Sequence, residues 1–258
     1  MKAESQDQRI ALFVDFENLV TRTGIAPETF DLQSAIDTLL EKGKVVFRRA
    51  YADWTRFPEA THRLHDLGVE LVDVPPSTRA GKNGADVRLV IDALELCYLR
   101  EHIDTFVIAS GDSDFCPLAY KLRENDRTVI GMAVKESTSP LFVKACDEFV
   151  YLRGPGQRRR EGGRERDEGG REKERPKEKV VPEVAREAAA AILAKATAPV
   201  NPSAIKAAIV RREPDFDERD HGFSSFNRLL EAMEKEGVLR REQGAKGQWY
   251  VLPAEAGA

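Results

Sequence analysis

An α/β domain built on a parallel sheet and followed by a smaller helical domain is the architecture this chain predicts, and three observations predict it. Apolar runs that read as buried strands alternate with amphipathic helical segments over roughly the first 150 residues. Two of these runs, Ile10 to Val14 and Thr105 to Ala109, are followed at once by acids, at the strand ends where open α/β sheets bind their ligands. The composition then breaks: from Gly154 to Lys179 two prolines are the only apolar side chains among Arg, Lys, Glu, Asp, Gly and Gln. Such a stretch cannot pack a core, which predicts a disordered linker over 154–179 between domains at 9–153 and 180–253.

The elements follow in order. After the strand ending at Val14, Asp31 caps a helix with Ala35, Ile36, Leu39 and Leu40 at helical spacing, and Gly43 ends it before the strand Val45-Val46-Phe47. Pro58 opens a segment with Leu64 and Leu67 on one face, Gly68 stops it, and Val69 to Val74 reads as a strand. Val87 to Leu99 is a long helix, with Val87, Val90, Ile91 and Leu94 at three- and four-residue steps, leading into Thr105 to Ala109. Phe115 to Arg123 is helical again, and Thr128 to Val134 is a fifth strand. Alternation of this kind implies helices on both faces of a parallel sheet.

Three acid-bearing segments stand out: Phe13-Val14-Asp15-Phe16-Glu17-Asn18, Gly84-Ala85-Asp86-Val87 and Ser110-Gly111-Asp112-Ser113-Asp114-Phe115. If neighbouring strand ends converge, Asp15, Asp86, Asp112 and Asp114 form one cluster. Oxygen-only donors without His or Cys favour Mg2+ or Mn2+ over zinc. Each acid also has an ordinary reading, Asp112 as a helix cap and Asp86 as a first-turn acid facing the helix dipole. Glu17 is either a site acid or a salt-bridge partner, and Asp92, about one turn beyond Asp86, reads as structural.

These motifs, with Lys82-Asn83-Gly84-Ala85-Asp86-Val87, Cys116-Pro117-Leu118 after Phe115, and the closing Asp147-Glu148-Phe149-Val150-Tyr151-Leu152, resemble the NYN domain, the LabA-like branch of the PIN-like nucleases. The resemblance spans roughly residues 9 to 152, in family order. It implies a PIN-like fold and metal-dependent hydrolysis of RNA, leaving a 5′-phosphate and a 3′-hydroxyl. By the family pattern Asp15, Asp86 and Asp112 are metal ligands, Asp114 is a fourth ligand or supports them, and Asn18 organises the site. Lys82 either holds a phosphate against the helix start or is a solvated loop cation. Trp54 either stacks on a base or packs under a loop. The haloacid-dehalogenase phosphatases share a Gly-Asp-Ser motif, but they need an acid/base Asp two residues after the nucleophile, where Glu17 stands here.

Beyond the linker, Val180 to Ala196 is an alanine-rich helix, and Asn201-Pro202 caps a second helix carrying Ile205 and Ile209. Ser224 caps a third, with Phe226, Leu229, Leu230 and Met233 on its apolar face and Gly237 at its end. Val238 to Arg241 and Gln248 to Leu252 flank Gly244-Ala245-Lys246-Gly247 as a hairpin. Three helices and a hairpin describe a winged helix-turn-helix. The run Gly222-Phe223-Ser224-Ser225-Phe226-Asn227-Arg228-Leu229-Leu230 and the hairpin ending in Trp249-Tyr250-Val251 resemble the OST-HTH or LOTUS domain, which implies RNA binding or docking of a protein partner. Candidate phosphate contacts are Arg228, Arg240, Arg241 and Lys246, together with Lys206, Arg211 and Arg212. Phe223, Phe226, Trp249 and Tyr250 read as core.

Charge and composition narrow the classes further. Lys and Arg against Asp and Glu count 19 to 25 before Gly154, 10 to 7 in the linker and 11 to 12 beyond it. Tight non-specific binding to duplex DNA by a basic face finds no support in that balance. The polar start and the lack of a long apolar run predict a cytoplasmic protein without a membrane span. Cys97, Cys116 and Cys146 lack metal-site spacing and read as free, buried thiols. Two functions therefore stand side by side: a metal-dependent ribonuclease, or a non-catalytic RNA- or protein-binding adaptor on the same fold.

Overall fold

The computed structural model describes residues 7–23, 25–27, 30–75, 84–152, 179–244 and 247–254. Residues 154–178 of the linker expected at 154–179, Lys82 with the loop 79–83, and Lys246 lie outside the described residues. The chain divides into two compact units.

In the first unit six strands form one parallel sheet: β1 (Gln8–Asp15), β2 (Gly43–Ala52), β3 (Glu70–Asp73), β4 (Thr105–Ala109), β5 (Thr128–Val134) and β6 (Glu148–Leu152), in the spatial order β3-β2-β1-β4-β5-β6. Helices α1 (Phe16–Thr21), α2 (Leu32–Leu40), α3 (Pro58–Asp66), α4 (Gly84–Leu99), α5 (Cys116–Glu124) and α6 (Pro140–Ala145) connect them. Right-handed crossovers place α1 to α3 on one face and α4 to α6 on the other. The central strands are buried on both faces: every residue of β4 is buried, as are the last six of β1. This explains why they read as unbroken apolar runs rather than alternating ones.

Local signals decide most boundaries. Asp31 caps α2 through Ser34 N–H at 3.2 Å, and Pro58 begins α3. Gly43 does not end α2, which stops at Leu40; it opens β2, where a Cβ would stand 2.1 Å from the carbonyl oxygen of Gln8. The six-residue helices α1 and α6 and the edge strand β6 are absent from the elements read in the sequence. Cys97 and Cys146 are buried and Cys116 half-buried, all as free thiols.

The second unit holds α7 (Glu183–Leu193), α8 (Pro202–Val210), α9 (Phe226–Lys235) and the antiparallel hairpin β7 (Leu239–Gln243) and β8 (Trp249–Pro253). A single antiparallel bridge ties Val200 to Val251 of the hairpin. Asn201 caps α8 by accepting from Ser203 N–H at 3.0 Å, with Pro202 at the first helical position. Ser224 is not the cap of α9. That position belongs to Ser225, whose carbonyl takes the first helical bonds from Arg228 and Leu229 while its side chain makes no capping hydrogen bond. Ala185, Ala188, Ile205, Leu229, Met233 and Val251 are among the side chains that close a core sharing none with the sheet domain. Among the described residues no helix is long and apolar enough to cross a membrane.

Candidate active site

The connection from β1 runs toward β2 and β3, whereas β4 leads outward to β5 and β6, so the strand order reverses between β1 and β4. Loops diverge at such a point and leave a crevice at the carboxyl ends of the strands. Val14 pairs with Ala109 in that register. Asp15 therefore leaves β1 beside Ser110, and Asp112 follows one turn later.

Asp15 is 2 % exposed and does two jobs. Its Oδ1 accepts the N–H of Asn18 at 3.3 Å, which starts α1, and its Oδ2 accepts from Ser110 Oγ at 2.9 Å. Ser110 Oγ in turn accepts the N–H of Asp112 at 3.3 Å, so one buried hydroxyl links the two acid segments. Asp112 Oδ1 accepts the N–H of Asp114 at 3.1 Å, the capping role open to it from its sequence position. Its Oδ2 receives Asn18 Nδ2 at 3.3 Å and Arg22 Nη2 at 2.7 Å.

Burial pushes Asp15 up to about 7, and the charges of Asp86 and Asp112 add to it, while the hydrogen bonds from Ser110 and Asn18 oppose the rise. Asp86, in the first turn of α4, is also raised, first by burial and then by Asp112 and Asp114, with Arg22 working against them. Carboxylates act on one another's protonation in this way only when they lie close together. Asp15, Asp86, Asp112 and Asp114 are brought together; Lys82 is outside the described residues.

Among the described residues no three His, Cys, Asp or Glu side chains stand as a ready-made metal site. The donors present nevertheless fit a hard divalent cation: they are all oxygen, crowded negative charge is left partly uncompensated, and the buried Asn18 Oδ1 has no hydrogen-bond partner.

Ser110 and Arg22 were not assigned roles from the sequence. Ser110 could have been found as a hydroxyl directly after a buried strand and before an acid. Arg22 follows Asn18 by one helical turn, but α1 is too short to show periodicity. Other assignments resolve into structure. Glu17 pairs with Arg56. Buried Asp92 accepts from Arg49, Tyr51 and Arg88 and ties α4 to β2. Trp54 is buried against Phe16, its ring nitrogen donating to the carbonyl of Val72 at 3.0 Å.

In the second unit four of the candidate phosphate contacts face carboxylates, Lys206 among them through Glu218 at 3.1 Å. Arg228 pairs with Glu231 at 2.7 Å and Arg240 with Glu242 at 3.9 Å. Arg241 pairs with Glu234 at 2.9 Å and lies over the Trp249 ring. Phe223 is core and Phe226 packs against it, but Trp249 is 43 % exposed. Trp249 shares a strand face with buried Val251, two residues on, but it stands at the turn end of β8, paired with Gln243 and covered by Arg241 rather than by the core.

A six-stranded parallel sheet with helices on both faces and acids at its switch point is the PIN-like α/β architecture. The family model of the NYN domain matches residues 9–153, more than half of the chain, and the chain belongs to that family. The model of the OST-HTH/LOTUS domain matches residues 179–251. An uncharacterized protein of Methanocaldococcus jannaschii, MJ0482, is 27 % identical over 141 residues, which is 55 % of this chain and 54 % of that protein. The chain thus spans about half the length of the curated relative it matches. A Vibrio parahaemolyticus protein of unknown function, VPA0982, matches in structure with a TM-score of 0.50 and 24 % identity, covering 58 % of this chain and 96 % of that one, a likeness of fold alone.

Proposed function

We propose that the sheet domain is a ribonuclease dependent on Mg2+ or Mn2+, and that the second domain binds RNA. The observation that carries this reading is the gathering of acids at the β1/β4 crevice, where burial raises both Asp15 and Asp86, Asp86 and Asp112 raise Asp15 further, and Asp112 and Asp114 raise Asp86 further. A protein gains nothing in stability from gathering acids that disfavour one another's ionisation, whereas a cation-dependent site requires it.

Asp15, Asp86 and Asp112 hold the cation, with Asp114 beside them. Once bound, the cation lowers the pKa of a water and stabilises charge on the scissile phosphate. Ser110 orients Asp15 and Asn18 orients Asp112, so both carboxylates are aimed by fixed hydrogen bonds. Lys82 is the proposed phosphate contact at the start of α4. Arg228, Arg240, Arg241 and Lys246 are the proposed contacts of the second domain, where RNA has to compete with the neighbouring glutamates. A protein partner for that domain is the alternative role.

The test is Asp112→Asn, with Asp15→Asn and Asp86→Asn beside it, assayed on single-stranded RNA with Mn2+. Each is expected to abolish cleavage and to lose calorimetric Mn2+ uptake while keeping its circular dichroism. Undiminished cleavage by a folded variant, or a wild type that takes up no Mn2+, leaves the adaptor reading in its place.

A further inference from the structure

Arg22 ends α1, and its side chain is 55 % exposed. Its guanidinium stands 2.7 Å from Asp112 Oδ2, the oxygen that Asn18 Nδ2 also reaches. The carboxylate at the centre of the acid site therefore already carries a cation. Arg22 also lines a cleft of about 430 Å³, shared with Asp112, Ser113, Glu136 and Thr138. One wall of that cleft is fixed, because Ser139 N–H donates to the carbonyl of Gly111 at 2.9 Å. Arg22 is the only cationic side chain among the described residues that line it.

The long Arg22 side chain is open to solvent while the short Asp112 is only 16 % exposed, so the pair can be broken from the arginine side by moving one flexible chain. A phosphodiester lying in this cleft brings negative charge next to an acid cluster and needs a counter-charge there, which a guanidinium meets with paired donors. We propose that Arg22 is an exchangeable counter-ion: it neutralises Asp112 while the acid site is free of metal and passes to the non-bridging oxygens of the RNA phosphate when a divalent cation takes that carboxylate. The proposal rests on the reading of this domain as a cation-dependent ribonuclease.

Two opposite effects follow from one residue. Pairing with Asp112 competes with the metal, so removing the guanidinium tightens metal uptake; the same change deprives the substrate of a contact. A salt bridge serving only stability does neither. The test uses the full chain as Arg22→Gln, with folding checked by circular dichroism. Calorimetric Mn2+ titration without RNA is expected to show about two- to fivefold tighter binding. The KM for a short single-stranded RNA is expected to rise about tenfold. Arg22→Lys, which keeps the charge but loses the fork, is expected to fall between wild type and Arg22→Gln in both measurements. Unchanged or weaker Mn2+ binding by Arg22→Gln overturns the proposal, as does an unchanged KM. Asp112→Asn run alongside separates the two readings. If it loses Mn2+ uptake while Arg22→Gln changes nothing, only the counter-ion role falls; if it binds Mn2+ like the wild type, the metal site itself falls and takes the counter-ion role with it.

Discussion

Ser110 Oγ donates to Asp15 Oδ2 at 2.9 Å, joining the residue that ends one central strand to the first residue after its neighbour. Both are buried, so the bond is shielded from water and helps to keep the Asp15 carboxylate charged against the cost of burial.

Ser110→Ala removes that donor and raises the proton affinity of Asp15 further. Since only the carboxylate holds a cation, Mn2+ binding at pH 7 is expected to weaken by roughly tenfold, the scale of a lost hydrogen bond to a charged group. Titration calorimetry across pH checks the cause: the deficit shrinks toward pH 9, where Asp15 ionises in the variant as well. A deficit that stays constant with pH contradicts it.

Asp15 also makes the metal-free protein sensitive to pH in a definite direction. With its pKa raised from its ordinary 3.8 to about 7, the folded state holds a proton that the unfolded state releases. Stability therefore falls as pH rises from about 4 to about 7, and the penalty is complete above that window. The gap corresponds to at most about 4 kcal/mol. Asp15→Asn is expected to melt higher than wild type in EDTA at pH 8 and to lose that advantage near pH 4, while being inactive with Mn2+. Thermal melts at the two pH values decide it.

Gly111 matters for space rather than for backbone freedom. A Cβ there would stand 2.5 Å from the carbonyl oxygen of Ser137, in the turn that walls the cleft beside Asp112. Gly111→Ala must push that turn away or shift Asp112. Cleavage is expected to drop about tenfold to 100-fold, the cost of displacing an aligned group by a fraction of an ångström to an ångström, with about 1–3 kcal/mol lost from stability. Activity together with denaturant melts tests both parts.

What the sequence made legible follows from which signals are local. Asp31, Pro58 and Asn201-Pro202 act on the backbone within one turn, so the boundaries they set can be read without knowledge of the fold. The strands around Val14 and Ala109 were equally plain, because a strand buried on both faces carries no polar residue to blur it. α1 and α6 span too few residues for helical periodicity to emerge. Gly43 was misread because its neighbour is Gln8 on another strand, a contact that no local pattern contains. Trp249 looked like core by residue type, and only its place at the turn end of the hairpin, opposite Gln243, leaves it outside the core that Val251 enters. At the acid site, the residue types and their strand-end positions were visible, but the links made by Ser110, Asn18 and Arg22 depend on β1 lying beside β4.

The last prediction concerns the two domains. Their buried clusters share no side chain, so a chain ending at residue 178 keeps the whole core of the sheet domain. It is expected to show the melting transition of that domain unchanged. On saturating short RNA its turnover stays close to that of the full chain, since every acid of the candidate site lies before that point. On long RNA its KM is expected to rise, because a covalently joined RNA-binding domain raises the local concentration of substrate without altering the chemistry. Steady-state kinetics on the two substrates separate the alternatives. Loss of turnover on the short RNA means that the second domain completes the active site; no change on the long RNA assigns that domain to a protein partner instead.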